Sequence, residues 1–445
     1  MSGTQTHPMP SGPKGMLRTA AKIVRDPFTF YDALKQEYGE TFTLHTPNGT
    51  VVVAASPETA KQVFSADPTH FKPFAASAIG PILGENSLLT LQGKRHKRER
   101  KLLMPAFHGA RMRDWAETIV SASQATFERL EEGEEFRVHE LTNRLSLELI
   151  VRLVFGVQDE DRVEEVTEAV GEVLETLHPL FFFSTSVQIA PFGLGPWAKF
   201  ERARERFVGL LQREIDERRH GAAREDILGM MMRARDEEGE AATDEELQDE
   251  LVTLLMAGHE TTAVGLSWAF YRLHRSPETL ARLRASMDDA ERDLVARSKN
   301  PYLQAVCKET LRLYPIVPDV LRDLIKPLRV GDHEVQVGYG VAVAVCAIHH
   351  DPTIYPEPHT FKPSRFLEKT YSAFEFMPFG GGHRRCIGAA FAMFEMALAL
   401  DVAMSGHDFE MLEPEELYPK RRNVTFAPET GVRMRYVGRR ATPTR

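Results

Sequence analysis

Residues 243–275 carry the longest uninterrupted helical pattern in the chain, and they set the scale of whatever surrounds them. Thr243 followed three residues later by Glu246 is a capping-box start. Ser276-Pro277 ends the run and opens the next helix, with proline in a tolerated first-turn position. A helix of roughly 30 residues spans roughly 45 Å, about the width of a whole domain. Its centre, residues 251–270, is apolar nearly all round, so other elements must wrap it.

The rest of the chain can supply that wrapping, since 42% of its 445 residues are hydrophobic. Helical spacing recurs at 57–65, 94–103, 112–131, 138–155, 161–177, 196–219, 277–297 and 301–313. Two β-like runs, 41–45 and 50–54, flank the turn residues Pro47, Asn48 and Gly49 and predict a hairpin. Strands return near 335–345 and 424–436. With no repeat and no Gly/Ser linker, the expected fold is mainly α with minor β. It is a single large helical domain with small β-sheets over residues 16–445, behind a flexible tail, 1–15, rich in Pro, Gly, Ser and Thr. No run of about 18 apolar residues is seen, so no transmembrane anchor is expected. The N-terminus lacks the apolar stretch of a signal peptide. The net charge of −9 gives no global attraction for nucleic acid. Cys307, Cys346 and Cys386 are widely spaced and odd in number, which suggests no disulfide framework and fits a reducing cytoplasm. His349, His350 and His359 read as loop residues with no implied ligand geometry.

The most informative short segment is FGGGHRRCIG, residues 379–388. Gly380, Gly381 and Gly382 permit unusual backbone angles and close approach to a bulky planar group. His383, Arg384 and Arg385 set positive charge beside Cys386, and an Ala-rich helical run follows Gly388. A cysteine before a helix and beside cations is biased toward thiolate, the form a soft metal ligand needs. A lone cysteine is more often simply buried. Here the glycines, cations and helix start all agree.

The segment resembles the signature of the cytochrome P-450 family, the haem-thiolate monooxygenases, through Phe379, Gly382, Arg384, Cys386 and Gly388. The resemblance implies that Cys386 is the axial ligand of haem b (iron-protoporphyrin IX), a role that favours O–O cleavage. It also implies that Arg384 pairs with a haem propionate and that Phe379 packs against the ligand loop. Further matches follow in family order. His96 and Arg100, one turn apart in KRHKRERK, correspond to propionate contacts, although most charges in that run read as a solvated face. Ala257 to Thr262, AGHETT, matches the oxygen-activation segment. There Thr261 would be the oxygen-binding hydroxyl and Glu260 a member of the proton relay, with Ala257, Thr261, Val264 and Gly265 on the haem-facing side and Gly258 leaving space. Glu309 and Arg312, alone only a common surface pair, match the family's Glu-x-x-Arg, completed by Arg365 as a structural charge network. Arg322 is a weaker propionate candidate. Residues 101–112, KLLMPAFHGARM, resemble a bacterial branch found in cyanobacteria and myxobacteria.

This reading implies insertion of one oxygen atom from O2 into a hydrophobic substrate, by hydroxylation or epoxidation, in a soluble, monomeric protein. Pocket segments are expected at 74–89, 180–192, 316–320 and 425–427, all rich in apolar residues. The run Leu180-Phe181-Phe182-Phe183 reads equally well as core. A long-chain fatty acid ranks first as substrate, ahead of a terpenoid, steroid or polyketide. No flavin reductase domain follows Cys386, so electrons would come from NAD(P)H through a ferredoxin or flavodoxin with its reductase. Lys97, Arg98, Lys101 and Arg385 would form a basic docking patch for it. Two rivals remain. A peroxide-using relative typically lacks the acid–alcohol pair that Glu260 and Thr261 provide. A non-enzymatic haem-binding gas sensor needs no proton relay.

Overall fold

The computed structural model describes residues 9–107, 111–182, 185–221, 224–288 and 293–440. Their packing groups into two compact units. One comprises residues 1–74, 304–386 and 417–429, and the other 75–303, 387–416 and 430–445.

The first unit is built on a five-stranded sheet. Thr41–Thr46 and Gly49–Ala54 form the expected hairpin, with Phe42 opposite Val53. Gly49–Ala54 then pairs in parallel with Gly340–Val343, which pairs with Val320–Leu324, and Phe71–Pro73 closes the edge. Val52, Ala54, Val341 and Val343 pack on one face with Phe64, Val330 and Ile348. Val51, Val53 and Ala342 pack on the other with Phe28, Tyr31, Leu34 and Phe426. Because both faces are covered, the strand GTVVVA is apolar without alternation. The helices Met16–Arg25 and Pro27–Tyr38 were not expected. Asp26 caps the second by accepting the Thr29 N–H, with Pro27 in its first turn, a start signal that was legible.

The second unit is helical around Asp244–Arg275, whose capping box forms between Thr243 and Glu246 as expected. Residues 262–271 of this helix are buried on every side. Val138–Leu153 lies against it so closely that a Cβ on Gly258 would come within 2.7 Å of Ile150 Cδ1. The space expected at Gly258 is therefore filled by Ile150. Thr142 adds a polar tie, donating to the Ala263 carbonyl at 3.1 Å. The predicted helix at 277–297 proves to be Pro277–Asp288 and a separate Leu294–Ser298 capped by Asp293. A three-stranded sheet joins Glu135–Arg137, Arg433–Arg439 and His407–Met411.

Among the described residues, the helix after the cysteine loop, Ala389–Gly406, is by length and composition alone apolar enough to cross a membrane, although Glu395 and Asp401 interrupt its apolar run. Most of it is buried inside the protein, the environment that an all-round apolar helix requires.

Candidate functional site

In the first unit, the cysteine loop hangs on a chain of buried polar contacts. Glu309 receives Arg312 Nε at 2.7 Å and Nη2 at 2.9 Å, Arg365 Nε at 3.0 Å and the Lys362 N–H at 2.9 Å. All three side chains of this network are buried. Arg312 Nη1 also donates to the His349 carbonyl at 2.8 Å. The His349 ring is fully buried, stacks on Phe376 and accepts the Met377 N–H at Nε2, 3.0 Å away. Burial, and then the Arg312 charge, hold this imidazole well below its usual pKa, so it stays neutral and able to accept. The Met377 carbonyl in turn takes the Gly380 N–H at 2.9 Å. His349 and His350 are thus buried groups in and just after the helix Val345–His349, which corrects their reading as loop residues. His350 bonds Asp32 and the Leu313 carbonyl. No group of His, Cys, Asp and Glu among the described residues could hold a bare metal ion.

The glycines of the loop adopt the unusual backbone angles expected of them, and they also make room for a neighbouring helix. Gly380 and Gly382 adopt left-handed φ of 66° and 67°, which favours glycine. A Cβ on Gly381 would strike the Phe64 ring at 2.4 Å, and one on Gly382 the Phe64 carbonyl oxygen at 2.3 Å. They admit the end of the helix Pro57–Ser65 as well as shaping the turn. Beyond them the Cys386 N–H donates to the Phe379 carbonyl at 2.9 Å, closing the loop. Phe379 and Arg384 are half-buried and Cys386 is exposed. Gly388 stands at the N-cap of Ala389–Gly406, its carbonyl accepting the Ala392 N–H at 2.8 Å.

The other two thiols do not suit a ligand. Cys307 and Cys346 are fully buried, and burial pushes Cys307 up to about 12 and Cys346 well above its usual value. A group that resists deprotonation is a poor source of thiolate, so the exposed Cys386 is the suited one.

Arg322 lies in the same unit as the cysteine loop and faces it through the Gly381 carbonyl. It is 2% exposed, its guanidinium lies over the Phe64 and Phe71 rings, and Nη2 donates to the Gly381 carbonyl at 2.9 Å. Its Nη1 is buried with no hydrogen-bond acceptor among the described residues. Burial, then the like charge of Arg384, drive its pKa down to about 10. Two neighbouring guanidiniums, one with a buried unused N–H, call for an anion. A thiol ligand beside a socket for carboxylates fits a haem with its propionates.

The second unit carries the remaining candidates. His96 and Arg100 lie one turn apart on Gly93–Leu103, His96 buried and Arg100 half-buried. On the long helix, Ala257 is exposed between the half-buried Met256 and Gly258, and Glu260 and Thr261 are half-buried. This face closes further along, where Val264 and Gly265 are buried. Thr261 Oγ1 donates to the Ala257 carbonyl at 2.7 Å, leaving its lone pairs available to accept. His259 turns inward, buried and bonded to the Leu255 carbonyl, with its pKa lowered by burial.

Arg98 is not an open docking charge, since it pairs with Asp236 at 2.6 Å and with Glu99 and Glu246. Lys101 pairs with Glu237 at 2.8 Å. Of the run at 180–183, Phe181 is core, packed edge-on to Trp197 at 5.0 Å, whereas Leu180 is exposed and Phe183 lies outside the described residues. Residues 108–110 of the branch-like segment are also outside them. Sequence reasoning missed Glu250 on the long helix. This buried carboxyl accepts the Leu88 N–H at 2.9 Å, and burial raises its pKa to about 8.

A family model, Cytochrome P-450, matches residues 10–431. Cytochrome P-450 135B1 of Mycobacterium tuberculosis is 35% identical over 98% of this chain and 93% of its own length. Cytochrome P-450 135A1 of the same species is 31% identical over 99% and 98%. Among solved structures, a cyanobacterial CYP120A1 with retinoic acid bound superposes with a TM-score of 0.85, at 25% identity, over 96% of this chain and 99% of that one. The mainly α fold with small sheets is therefore the cytochrome P-450 fold.

Proposed function

The chain belongs to the cytochrome P-450 family of haem-thiolate monooxygenases, and from that premise we propose that it oxygenates a hydrophobic acid with electrons from a separate protein. The balance is one substrate C–H bond, one O2, two electrons and two protons in, with one hydroxylated product and one water out. Haem, when bound, supplies the iron chemistry that cleaves O2. The observation that carries the assignment is the loop itself, an exposed Cys386 beside the Arg322–Arg384 socket with its unused buried N–H.

Each residue then has a stated task. Cys386 would ligate the haem iron as thiolate, with Phe379 and Gly388 shaping its loop. Arg322 and Arg384 would pair with haem propionate, and His96 and Arg100 are assigned the same task by the family pattern. Ala257 leaves room on its face of the long helix. Thr261 Oγ1 can accept at its lone pairs and, on releasing the Ala257 carbonyl, donate its own proton, and Glu260 would resupply that hydroxyl from solvent. Residues 16–445 act together as one haem-binding monooxygenase.

The substrate class rests on two supports. The expected pocket segments are apolar, with Ile316 and Ala427 buried. CYP120A1 has been solved with retinoic acid, a long apolar chain ending in a carboxylate. A long-chain fatty acid has the same character. Ferredoxin or flavodoxin, fed from NAD(P)H by a reductase, supplies the electrons.

The test reconstitutes the holoenzyme with a surrogate ferredoxin, its reductase and NADPH, against palmitic acid and all-trans-retinoic acid. Hydroxylated product should form, and Thr261→Ala should release peroxide instead, with product per NADPH falling by roughly 10²-fold or more. Product only when hydrogen peroxide is added would support the peroxide-using reading instead. Full coupling in Thr261→Ala would show that the hydroxyl serves the helix alone.

A further inference from the structure

The N-terminal helix Met16–Arg25 has three distinct sectors when its residues are placed at about 100° intervals. Thr19, buried, and Ile23, half-buried, point inward. Arg421 secures the helix end, donating to the Ile23 and Val24 carbonyls at 3.2 Å each. Met16, Val24, Leu17 and Ala21 follow one another around the adjoining sector, and all four are exposed, Leu17 by 73% and Val24 by 54%. Arg18, Lys22 and Arg25 fill the third sector, exposed as well. Residues 9–25 hold four cations, counting Lys14, and no Asp or Glu, in a chain whose net charge is −9.

An exposed apolar stripe is unfavourable in water, and here it runs beside a row of cations on a helix anchored to the unit beneath it. We propose that this helix lies on the surface of a bilayer containing anionic phospholipid, with Met16, Leu17 and Val24 sunk among the acyl chains and the cations at the headgroups. The charge pattern selects this occupant. A second copy of the chain would set like charges against each other across an isologous contact. A stripe of four side chains is also far below the roughly 1,000 Å² that a stable protein interface needs. Attachment through one short helix is peripheral and reversible. The inference stands apart from the choice of substrate and redox partner.

The holoenzyme would be centrifuged with vesicles of phosphatidylcholine alone and of phosphatidylcholine with a minority of phosphatidylglycerol. It should pellet with the second and weakly or not at all with the first, and salt should release it. R18Q/K22Q/R25Q should weaken partitioning by roughly fivefold per cation. L17E/V24E should abolish it, while the haem spectrum confirms that the variant is folded. A holoenzyme that stays in the supernatant with anionic vesicles overturns the proposal. So does undiminished pelleting of L17E/V24E, and so does loss of pelleting only in F192S/L194S, which would move the contact to a different exposed apolar segment.

Discussion

The Glu309 cluster and the basic helix Gly93–Leu103 both stand out in the sequence as charge patterns, yet they end in opposite circumstances. Glu309 and Arg312 sit three apart on one helix, so their pairing follows from local geometry once the helix forms. Neither side chain is exposed at all. The cations of the basic helix look free because their neighbours in sequence are mostly cations. The acids that meet them, Asp236, Glu237 and Glu246, arrive from far along the chain. Short-range spacing can be read before folding, whereas neutralisation by a distant segment is a tertiary fact.

This contrast can be broken most forcefully at the buried end. Arg365→Leu would leave Glu309 with one cation fewer in a place water cannot reach. Removing one partner from such a network costs about 3–5 kcal/mol. We expect the variant to be recovered largely without haem, and chemical denaturation to show the loss. A variant of native stability and haem content would mean that the network is dispensable.

Glu250 sharpens the contrast as a buried acid with no cation among the described residues near enough to offset its burial. Its native pKa is about 8, against 4.5 for the unperturbed group. Between those values the native state keeps a proton that the unfolded chain has released. Stability from this group therefore falls as pH rises from about 4.5 to about 8 and levels off above. Glu250→Gln should flatten that slope and stabilise the protein at pH 8.5 by roughly 1–3 kcal/mol. Parallel melting-temperature profiles for the two proteins would show that Glu250 titrates normally.

The surface end should give the smallest effects. Lys101–Glu237 is exposed on both sides, and breaking it should change stability by less than about 1 kcal/mol. Its consequence is kinetic. Glu237→Gln removes an acid beside Lys97 and Lys101, so reduction by an acidic ferredoxin should quicken a few-fold at low salt and converge with wild type at high salt. A rate identical to wild type at every ionic strength would place the docking face elsewhere.

The same division runs through the whole molecule. Thr243 and Glu246 announced the long helix, and the turn at Pro47 to Gly49 announced the hairpin, because each signal lies within a few residues. The cysteine loop was legible through residue type and spacing. Its support was not. Phe64 seated against Gly381 and Gly382, Arg322 lying over Phe71, and His349 accepting the Met377 N–H all join residues distant in sequence. The adjacent histidines at 349 and 350 gave a visible signal, but only burial shows that they are internal bonding groups. Ile150 filling the space beside Gly258 belongs to the same class, since a glycine alone does not say which neighbour approaches it.

The central claim is that Cys386 is the thiolate ligand, and carbon monoxide binding to the reduced holoenzyme tests it most directly. Wild type should give the red-shifted Soret band of a thiolate-ligated ferrous–carbonyl haem. Cys386→His should lose that band even where haem is retained, while Cys307→Ser and Cys346→Ser keep it. Burial holds both of those thiols protonated, which is why neither should substitute. A thiolate spectrum that survives in Cys386→His would contradict the account and transfer the ligand to one of the two buried cysteines.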